Sequence, residues 1–438
     1  MTKETNLDVA GSGISKKRVL VVGPILTQTG YGEHARFMWR ALKSRPDLFD
    51  VFVSAINWGN SGWLWEDSEE RKQIDDDIGK TQYWIQQGGT FDTTLMVTIP
   101  QEWPNYRAAT NNIGVTAGVE TSKISELWVQ STEAVDKILL TSNFSKEVFE
   151  KASYVTQHPQ TGEKTISKVN VPMEVVNYPV KEYEKTDLNL NLTTDFNFLT
   201  VAQWGARKNI ENTVQWFVEE FIDQEVGLVL KLQMLNGGQR DKVFTRESLE
   251  KILKQYPDRK CKVYLLHGYI SDAEMHSLYT HPKIKALISL SHGEGFGLPL
   301  FEAAYSGLPV LTHDWGGQTD FLMMDKKGKK GKVSKRPFYA NVDYDLSTIQ
   351  PAVVWENILL KDSQWAYPKQ GSYKMKLRDI YKNLNRYQSQ AKKLKKFLVE
   401  EFSKEKQYER VVDSICDKEY MEMTQWFEEL SEEIVEVA

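Results

Sequence analysis

Short apolar runs alternate with amphipathic stretches along most of the chain. The first run, VLVV at 19–22, precedes a glycine-containing loop and a stretch in which Phe37, Met38 and Leu42 fall on one helical face. Four further runs of the same kind follow, at 51–56, 91–100, 112–119 and 136–142. Buried strands that alternate with helices predict a parallel sheet covered by helices.

A polar stretch, KEYEKTDLNLNLTTD at 181–195, interrupts this alternation, which then starts again. The later apolar runs lie at 196–204, 226–235, 261–270, 284–291 and 309–314. We therefore predict two successive doubly wound α/β domains, at 17–185 and 196–400, after a lead-in without structure at 1–16.

The totals agree with a protein of two domains, because 438 residues exceed one ordinary core. A net charge of −5 argues against a globally basic nucleic-acid binder. Cys261 and Cys416 fit no metal or redox spacing, so we expect reduced thiols in a cytoplasmic protein. No apolar run approaches the roughly 20 residues that span a bilayer, so we expect any membrane contact to be peripheral.

The stretch SHGEGFGLPLFEAAYSG, residues 291–307, carries two acids eight positions apart, Glu294 and Glu302. Pro299 suits a first helical turn and Gly307 suits the position just after a helix, so we predict a helix at Leu298–Ser306. Glu294 would then follow a parallel strand at its carboxyl end, where open α/β sheets bind ligands.

This predicted helix favours a particular ligand. Its free N–H groups suit a diphosphate, and Glu302, about one turn inside, suits sugar hydroxyls. A carboxylate without such partners is costly to bury. The spacing therefore favours a nucleotide sugar. The alternative is that both acids decorate a surface helix, where acids near the start are common.

The pattern E-G-F-G-L-P-x-x-E resembles the E-x7-E motif of the retaining family 4 glycosyltransferases, which belong to the glycosyl transferases group 1. The resemblance implies the GT-B fold, in which two Rossmann-like domains face a central cleft. It implies an acceptor domain at 17–185, a donor domain at 196–400 and a C-terminal helix at about 405–438 that crosses back to the first domain. The tail QWFEELSEEIVEV suits that packing, with apolar residues on one helical face.

The resemblance also implies roles for single residues. Glu294 would contact the transferred sugar and Glu302 the nucleotide ribose. The backbone of four neighbouring residues would hold sugar or phosphate: Gly295, Phe296, Gly297 and Leu298. In TVAQWGARKNIENTV, Arg207 and Lys208 would bind the diphosphate and stabilise its departure. This chain has Gln203 where the family often has an arginine, and a solvated helix start is the alternative for the basic pair.

Other segments resemble further parts of the family. TGYGEHARFMWRAL resembles the glycine loop, which implies that Gly30, Tyr31 and Gly32 approach the donor or acceptor. HGYISDAEMHSLY resembles the segment whose backbone faces the nucleotide base, at Tyr269 and Ile270. Glu120, in GVETSKISELW, is a candidate polar group near the reacting carbon, with capping of a helix that starts near Thr121 as the alternative. We interpret His34 as structural.

The implied reaction needs no resident cofactor. The diphosphate itself helps to accept the proton, so we expect neither a metal nor a cofactor. Asp75 to Asp77 and Asp343 to Asp345 each satisfy D-x-D, and we interpret both as chance patterns of surface acids. The reaction expected is transfer of a hexose, from a donor of the UDP-glucose or GDP-mannose type, to a hydroxyl with retention.

The acceptor is less constrained. Trp58, Trp63 and Trp65 lie within ten positions and suit an aromatic acceptor wall, or equally a packed loop. The run KKGKKGKVSKR, from Lys326 to Arg336, holds seven basic residues in eleven. We interpret it first as a solvated loop. The alternatives are contact with nucleic acid or with an anionic membrane, the latter aided by basic residues of the first helix, namely Arg36, Arg40, Lys43 and Arg45.

Three hypotheses for function result. The first is a glycosyltransferase that makes a glycan or glycoconjugate. The second is the same chemistry on a nucleic-acid acceptor, as in enzymes that modify phage DNA bases. The third is a non-catalytic protein that binds nucleotide sugars, which the near-complete donor motif disfavours.

Overall fold

The computed structural model describes residues 16–59, 61–157, 162, 164–327, 333–416, 420–424 and 426. The helices in these ranges are α1 Gly30–Lys43, α2 Glu69–Gln86, α3 Glu126–Ser131, α4 Asn143–Lys151, α5 Ile210–Glu220, α6 Gln239–Leu253, α7 Asp272–Tyr279, α8 Leu298–Ser306, α9 Thr319–Leu322, α10 Gln370–Lys382, α11 Leu384–Glu401 and α12 Lys404–Ile415. The strands are β1 Lys17–Gly23, β2 Phe49–Ala55, β3 Phe91–Val97, β4 Ala109–Thr116, β5 Lys137–Leu140, β6 Ser153–Gln157, β7 Lys164–Lys168, β8 Met173–Val175, β9 Asn197–Gln203, β10 Gly227–Gln233, β11 Lys262–His267, β12 Ile284–Ile288, β13 Val310–Thr312, β14 Met323–Lys327, β15 Val333–Pro337, β16 Ala340–Asn341, β17 Tyr344–Thr348 and β18 Gln364–Pro368.

The first domain is built on a parallel sheet in the order β2-β1-β3-β4-β5-β8. Its central strands are apolar on both faces, because helices cover both sides of the sheet. Val19 and Val21 of β1 are fully buried, and in register Val21 pairs with Val53 and with Leu95. Each apolar run predicted for this domain overlaps one of the strands β1 to β5, and the edge strand β8 was not predicted.

The second domain repeats the design, with a parallel sheet in the order β11-β10-β9-β12-β13-β16. The direction of winding changes between β9 and β12, which are neighbours in the sheet but not in the chain. Open α/β sheets bind ligands at the carboxyl ends of the strands at such a switch point. The two predicted doubly wound domains are therefore confirmed, and the second domain has its crevice beside β9 and β12.

The buried side chains of the two domains meet. Tyr178, which follows the first sheet, packs against Phe296 of the second domain with ring centroids 5.0 Å apart. One continuous apolar cluster contains strand residues of both sheets, including Val19 and Leu199. The loops at the facing edges of the two sheets are therefore held next to each other, and the candidate site lies between them.

Three antiparallel hairpins were not predicted: β6–β7, β14–β15 and β17–β18. The hairpin β14–β15 contains the ends of the basic run from Lys326 to Arg336, whose centre at 328–332 lies outside the described residues. The segment between β17 and β18 reaches the first domain. There the Asp362 carboxylate lies 2.5 Å from the Lys123 ammonium.

Helix α12 lies against the first domain. The ring of Tyr408 packs on Phe37 of α1 at 6.0 Å, and Lys137 of β5 donates to the carbonyl of Ser414 at 3.0 Å. The predicted apolar tail at 425–437 lies outside the described residues except for Trp426, as does the lead-in except for Lys16. Within the described ranges, every helix is too short or too polar to cross a bilayer.

Candidate functional site

Two basic side chains and an acid meet at the switch point of the second sheet. Arg207 and Lys208 form a single 3₁₀ turn after β9, and Glu294 follows β12. The Lys208 Nζ atom lies 2.5 Å from Glu294 Oε1, and Arg207 Nη1 lies 3.2 Å from Glu294 Oε2. Because β9 and β12 are adjacent, residues almost 90 positions apart form one cluster.

Arg207 extends this cluster to the first domain. Its Nη2 atom lies 3.1 Å from Glu120 Oε1, and its Nη1 donates to the carbonyl of Gly293 at 2.7 Å. Helix α3 begins only at Glu126, with Ser125 as its cap. The expected helix start near Thr121 is therefore wrong, and Glu120 caps no helix there. The structure brings together all four residues predicted for catalysis.

The charges of the cluster control one another. Burial by itself would raise the pKa of Glu294, but Lys208 and Arg207 outweigh it and lower the pKa to about 2. Burial together with the neighbouring charge of Arg207 lowers the pKa of Lys208. Burial also acts to lower the pKa of Arg207, whereas Glu120 and Glu294 hold it above its ordinary value. Glu294 is thus ionised throughout the neutral range, so it accepts hydrogen bonds and is a weak base.

The helix after Glu294 has the bounds that the sequence predicts. It begins at Leu298 after Gly297, whose φ of +94° is a conformation that favours glycine, and it ends at Gly307 with φ of +85°. No side chain caps its amino end, and Pro299 has no N–H to satisfy. The remaining N–H groups and the helix dipole therefore face the crevice as a site for an anion.

Glu302 lies on the α7 side of this helix. Its Oε2 atom accepts a hydrogen bond from the hydroxyl of Tyr279, the last residue of α7, at 2.8 Å. Burial raises the pKa of Glu302 to about 7. The side chain is only partly covered, so it retains acceptor capacity toward the crevice.

The segment predicted to face the nucleotide base lies just before α7. The hydroxyl of Tyr269 donates to Glu66 of the first domain, and its ring lies 5.6 Å from Trp65 at an angle of 69°. Ile270 packs against the apolar cluster that the domains share. This segment therefore lies opposite a loop of the first domain. Phe296 is buried as well, so only its backbone is available to a ligand.

The glycine loop forms the start of α1. The Thr29 side chain accepts from the N–H of Gly32 at 3.0 Å, and a Cβ on Gly32 would lie 2.1 Å from the carbonyl of Thr27. Gly32 is therefore required by the packing of its own loop. Among the described residues, no atom outside the local backbone of α1 lies within 4 Å of a Cβ placed on Gly30. Tyr31 donates to or accepts from Thr116 at 2.8 Å, so its hydroxyl is fixed at the end of β4.

The three tryptophans predicted as an acceptor wall contact three different partners. The ring of Trp58 lies 4.6 Å from that of Tyr31, and the ring of Trp65 lies near Tyr269. Trp63 pairs through its backbone with Thr27 and is about half exposed. The three tryptophans lie along one loop of the first domain, which runs from Tyr31 to Tyr269 of the second domain.

The loop between β12 and α8, residues 289–297, also packs directly on the first domain. A Cβ on Gly293 would lie 2.3 Å from the carbonyl oxygen of Glu120, and a Cβ on Gly295 would lie 2.5 Å from that of Ala117. Ser142 Oγ donates to the carbonyl of Gly295 at 2.6 Å. These glycines therefore allow a contact between the domains that a side chain would block.

Asp320, in the GQTDFL segment, makes a second contact of this kind, which sequence reasoning missed. Its Oδ2 accepts from the backbone N–H of Asn143 at 2.9 Å and from the side chains of Asn143 and Asn177 at 3.1 Å. Burial raises the pKa of Asp320. Its acidic side chain among apolar neighbours was the only signal in the sequence.

Two histidines that the sequence analysis did not single out fix the position of the loop between β12 and α8. His313 Nε2 donates to the carbonyl of Ser291 at 2.5 Å, while its Nδ1 accepts from the N–H of Trp315 at 3.2 Å. His292 donates through Nδ1 to Ala366 at 2.7 Å. Burial lowers the pKa of both rings, so they are neutral supports.

Other candidates lie away from the cluster. His34 is buried against Tyr178, and burial lowers its pKa to about 3, as suits a structural role. Asp75 pairs with Arg71 at 3.1 Å, and Asp345 pairs with Lys369 at 2.8 Å. Among the described residues, no group of three or more His, Cys, Asp or Glu is arranged to hold a metal ion.

The basic residues of α1 and of the turn after it are already engaged. Arg36 is buried and donates to the carbonyls of Ile25 and Thr27. The other three form ion pairs within the first domain, Arg40 with Glu33 and Glu70, Lys43 with Asp77, and Arg45 with Asp47. This helix therefore lacks the free basic surface that the membrane alternative requires.

Comparison with protein families shows a similarity in the second domain. Residues 190–335 match the family model described as Glycosyl transferases group 1. A stretch of 68 residues is 44% identical to the serotype-specific mannosyltransferase WbdA of Escherichia coli, which is 16% of this chain and 8% of that protein. The second domain is therefore similar to the group 1 glycosyltransferases, and the chain matches less than a tenth of the length of this curated relative.

Solved structures show that the resemblance in fold extends over both domains. Sucrose-phosphate synthase from Thermosynechococcus elongatus superposes with a TM-score of 0.58 and 13% identity, covering 96% of this chain and all of that one. HepE of Anabaena in complex with UDP and glucose gives 0.56 and 11%, covering 91% and 99%. A glycosyltransferase from Rickettsia africae gives 0.57 and 12%, covering 93% and 99%. The predicted GT-B fold is confirmed.

Proposed function

We propose that this protein transfers a hexose from a nucleotide-sugar donor to a hydroxyl acceptor, with retention of configuration, in the cleft between its two domains. The observation that carries the proposal is the cluster of Arg207, Lys208, Glu294 and Glu120 at the switch point of the second sheet. It combines two cations suited to a diphosphate with two acids suited to a sugar, beside an uncapped helix start.

The basic pair has a defined task in this proposal. Glu294 and Glu120 neutralise the charges of Arg207 and Lys208. An incoming diphosphate offers the same cations stronger, bidentate acceptors, and it adds to them the N–H groups at the start of α8. Charge that develops on the leaving diphosphate is then stabilised by donors already in place, which is the most effective form of electrostatic catalysis.

The three acids of the site have different roles in this proposal. Release of Lys208 frees the carboxylate of Glu294 to accept hydrogen bonds from the sugar, and its low pKa suits orientation rather than proton transfer. Glu302 takes the ribose hydroxyls. Glu120 lies on the first-domain side and faces the reacting carbon or the acceptor. The diphosphate accepts the acceptor proton, so the chain itself supplies position and charge.

The donor is proposed from likeness alone. The 44% identity to part of a mannosyltransferase favours mannose, and a neighbour that binds UDP and glucose keeps glucose as the alternative. The acceptor is a glycan or glycoconjugate. The nucleic-acid alternative rests on the basic run from Lys326 to Arg336, whose centre lies outside the described residues.

The test is release of nucleoside diphosphate from a panel of nucleotide sugars that includes GDP-mannose and UDP-glucose. Each donor is assayed alone, with oligosaccharide acceptors and with hydroxymethylated DNA. Lys208→Ala and the matched surface variant Lys392→Ala are assayed beside the unmodified protein. Release from one donor that Lys208→Ala abolishes and Lys392→Ala retains supports the proposal. Donor binding without release would favour the non-catalytic hypothesis, and absence of both would refute the proposal.

A further inference from the structure

Lys231 is a lysine in the second sheet for which the reaction proposed above has no use. It lies near the carboxyl end of β10, between Val201 of β9 and Leu266 of β11 in the strand register. Its ammonium group donates to the carbonyl oxygen of Gly268. Among the described residues, no carboxylate lies within ion-pair distance of this ammonium.

Within the described part of the chain, the ammonium of Lys231 has one hydrogen-bond acceptor. Lysine has three N–H donors, and a single hydrogen bond to Gly268 uses one of them. Burial lowers the pKa of Lys231 to about 8, and no acid offsets that effect. A strand position between Val201 and Leu266 would be more stable with an aliphatic side chain, because a partly buried charge without a partner is costly. The lysine therefore implies an acceptor that binds from outside the chain.

The position of Lys231 indicates which part of a ligand it meets. Its neighbours Val201 and Leu266 pack on the cluster that contains Tyr279 and Phe301, so this face of the sheet is the one covered by α7 and α8. Glu302 points toward α7 on that same face. A donor with its diphosphate at Lys208 and its ribose at Glu302 therefore extends its base toward the ends of β10 and β11.

The loop that follows β10 closes this end of the crevice. Asp241 accepts the backbone N–H groups of Met234, Leu235 and Gly237 at 2.8–3.0 Å, which fixes the loop. A Cβ on Gly237 would lie 3.4 Å from the Cα of Gly268. The loop therefore lies directly against the residue whose carbonyl accepts from Lys231. The ammonium of Lys231, bonded to Gly268, thus lies beside this loop at the end of the crevice.

We propose that Lys231 donates a hydrogen bond to a keto oxygen of the donor's nucleobase and so selects uracil or guanine over cytosine or adenine. Uracil and guanine carry a keto oxygen at the ring position where cytosine and adenine carry an amino group. An ammonium has donors only, so it pairs with the oxygen and opposes the amino group. This inference rests on the proposed function, because it assumes that a nucleotide occupies the crevice.

The experiment measures dissociation constants of UDP, CDP, GDP and ADP for the full chain by calorimetry. The variants are Lys231→Met, which keeps the length of the side chain without its charge, and Lys262→Met, at an exposed position near the start of β11. We expect the unmodified protein to bind UDP at least 10-fold more tightly than CDP, or GDP at least 10-fold more tightly than ADP. In Lys231→Met that ratio should fall below about 3-fold, through loss of affinity for the keto base, and Lys262→Met should retain it.

Three results would overturn the inference. An unchanged ratio in Lys231→Met shows that the lysine does not read the base. An equal loss of affinity for all four nucleotides shows that it only supports the pocket, and circular dichroism of the variant then reports whether the fold is affected. Failure of the unmodified protein to bind any nucleotide would remove the proposed function and, with it, this inference.

Discussion

The guanidinium of Arg207, in the second domain, lies 3.1 Å from the carboxylate of Glu120, in the first. The same guanidinium contacts Glu294, so one side chain links an acid of the first domain to an acid of the loop between β12 and α8. The candidate site is therefore complete only where the two domains meet, and changes on either side are expected to affect it in different ways.

Replacement of Glu120 by Gln is expected to affect the binding of nucleoside diphosphate and the rate of turnover differently. It removes a negative charge beside the proposed diphosphate site and releases Arg207, so the affinity for nucleoside diphosphate should be unchanged or a few-fold higher. Turnover should fall at least 10-fold, because the group that we propose to face the reacting carbon loses its charge. Calorimetry and initial rates measure the two effects. A parallel loss of affinity and rate would place Glu120 in the binding of the donor instead.

Replacement of Lys208 by Ala should weaken the binding of nucleoside diphosphate. A charge-assisted hydrogen bond to phosphate contributes about 1.5–3 kcal/mol, so the dissociation constant should rise roughly 10-fold to 100-fold. The dependence of affinity on salt should become less steep. Lys392→Ala, on the exposed face of α11, is the control and should behave as the unmodified chain. Equal affinities of the two variants would exclude Lys208 from the phosphate site.

Glu302 predicts a dependence of stability on pH. Its pKa is about 7 in the folded protein and 4.5 in the reference state, so the folded state holds the proton more tightly. The contribution of Glu302 to the free energy of unfolding should therefore be greatest below pH 4.5 and fall as the pH rises through 7. Glu302→Gln mimics the protonated form and should be more stable than the unmodified protein at pH 8, by on the order of 1–3 kcal/mol. At pH 4.5 the two should be nearly equal.

The same variant should lose donor affinity at pH 8, by about 10-fold, because hydrogen bonds from ribose to a carboxylate are stronger than those to an amide. Chemical denaturation and calorimetry on one preparation test both expectations. A variant that is more stable and binds the donor equally well would restrict Glu302 to a structural role beside Tyr279.

Gly295→Ala tests the contact between the domains. The added Cβ would lie 2.5 Å from the carbonyl of Ala117, so the loop and the first domain must separate. We expect a folded protein with a larger radius of gyration in X-ray scattering and a turnover reduced at least 10-fold. Gly371→Ala is the control, because in the described part of the chain no atom outside the local helix backbone lies within 4 Å of a Cβ built on this helical glycine. An unchanged radius together with full activity would contradict the proposal that this contact completes the site.

The sequence predicted those parts of the site that depend on local chemistry. Pro299 and Gly307 gave the bounds of α8 because each fits one backbone position at a helix end. Glu294 was placed at the carboxyl end of a parallel strand by the sequence pattern, whereas Arg207 and Lys208 were predicted from the resemblance to the family. Their roles as residues that bind donor or sugar stay predictions.

Other parts depend on contacts that a sequence pattern does not contain. The start of α3 was misplaced, because Ser125, rather than Glu120 or Thr121, provides its cap. The charges of α1 suggested a basic surface, yet their partners Glu70 and Asp77 belong to another helix. The hairpin β6–β7 interrupts the doubly wound pattern and has exposed Val155 paired with exposed Ile166, so no buried face marked it.

The hydrogen bond between Asp320 and the backbone of Asn143 provides a way to follow the opening of the cleft. Helix α4 of the first domain begins at Asn143, and the N–H of that residue is bonded to a carboxylate of the second domain. Separation of the domains would return this amide to water while the rest of α4 keeps its own hydrogen bonds. Hydrogen exchange at a single backbone position would then report the rate of opening of the entire molecule, without a label and without a substrate.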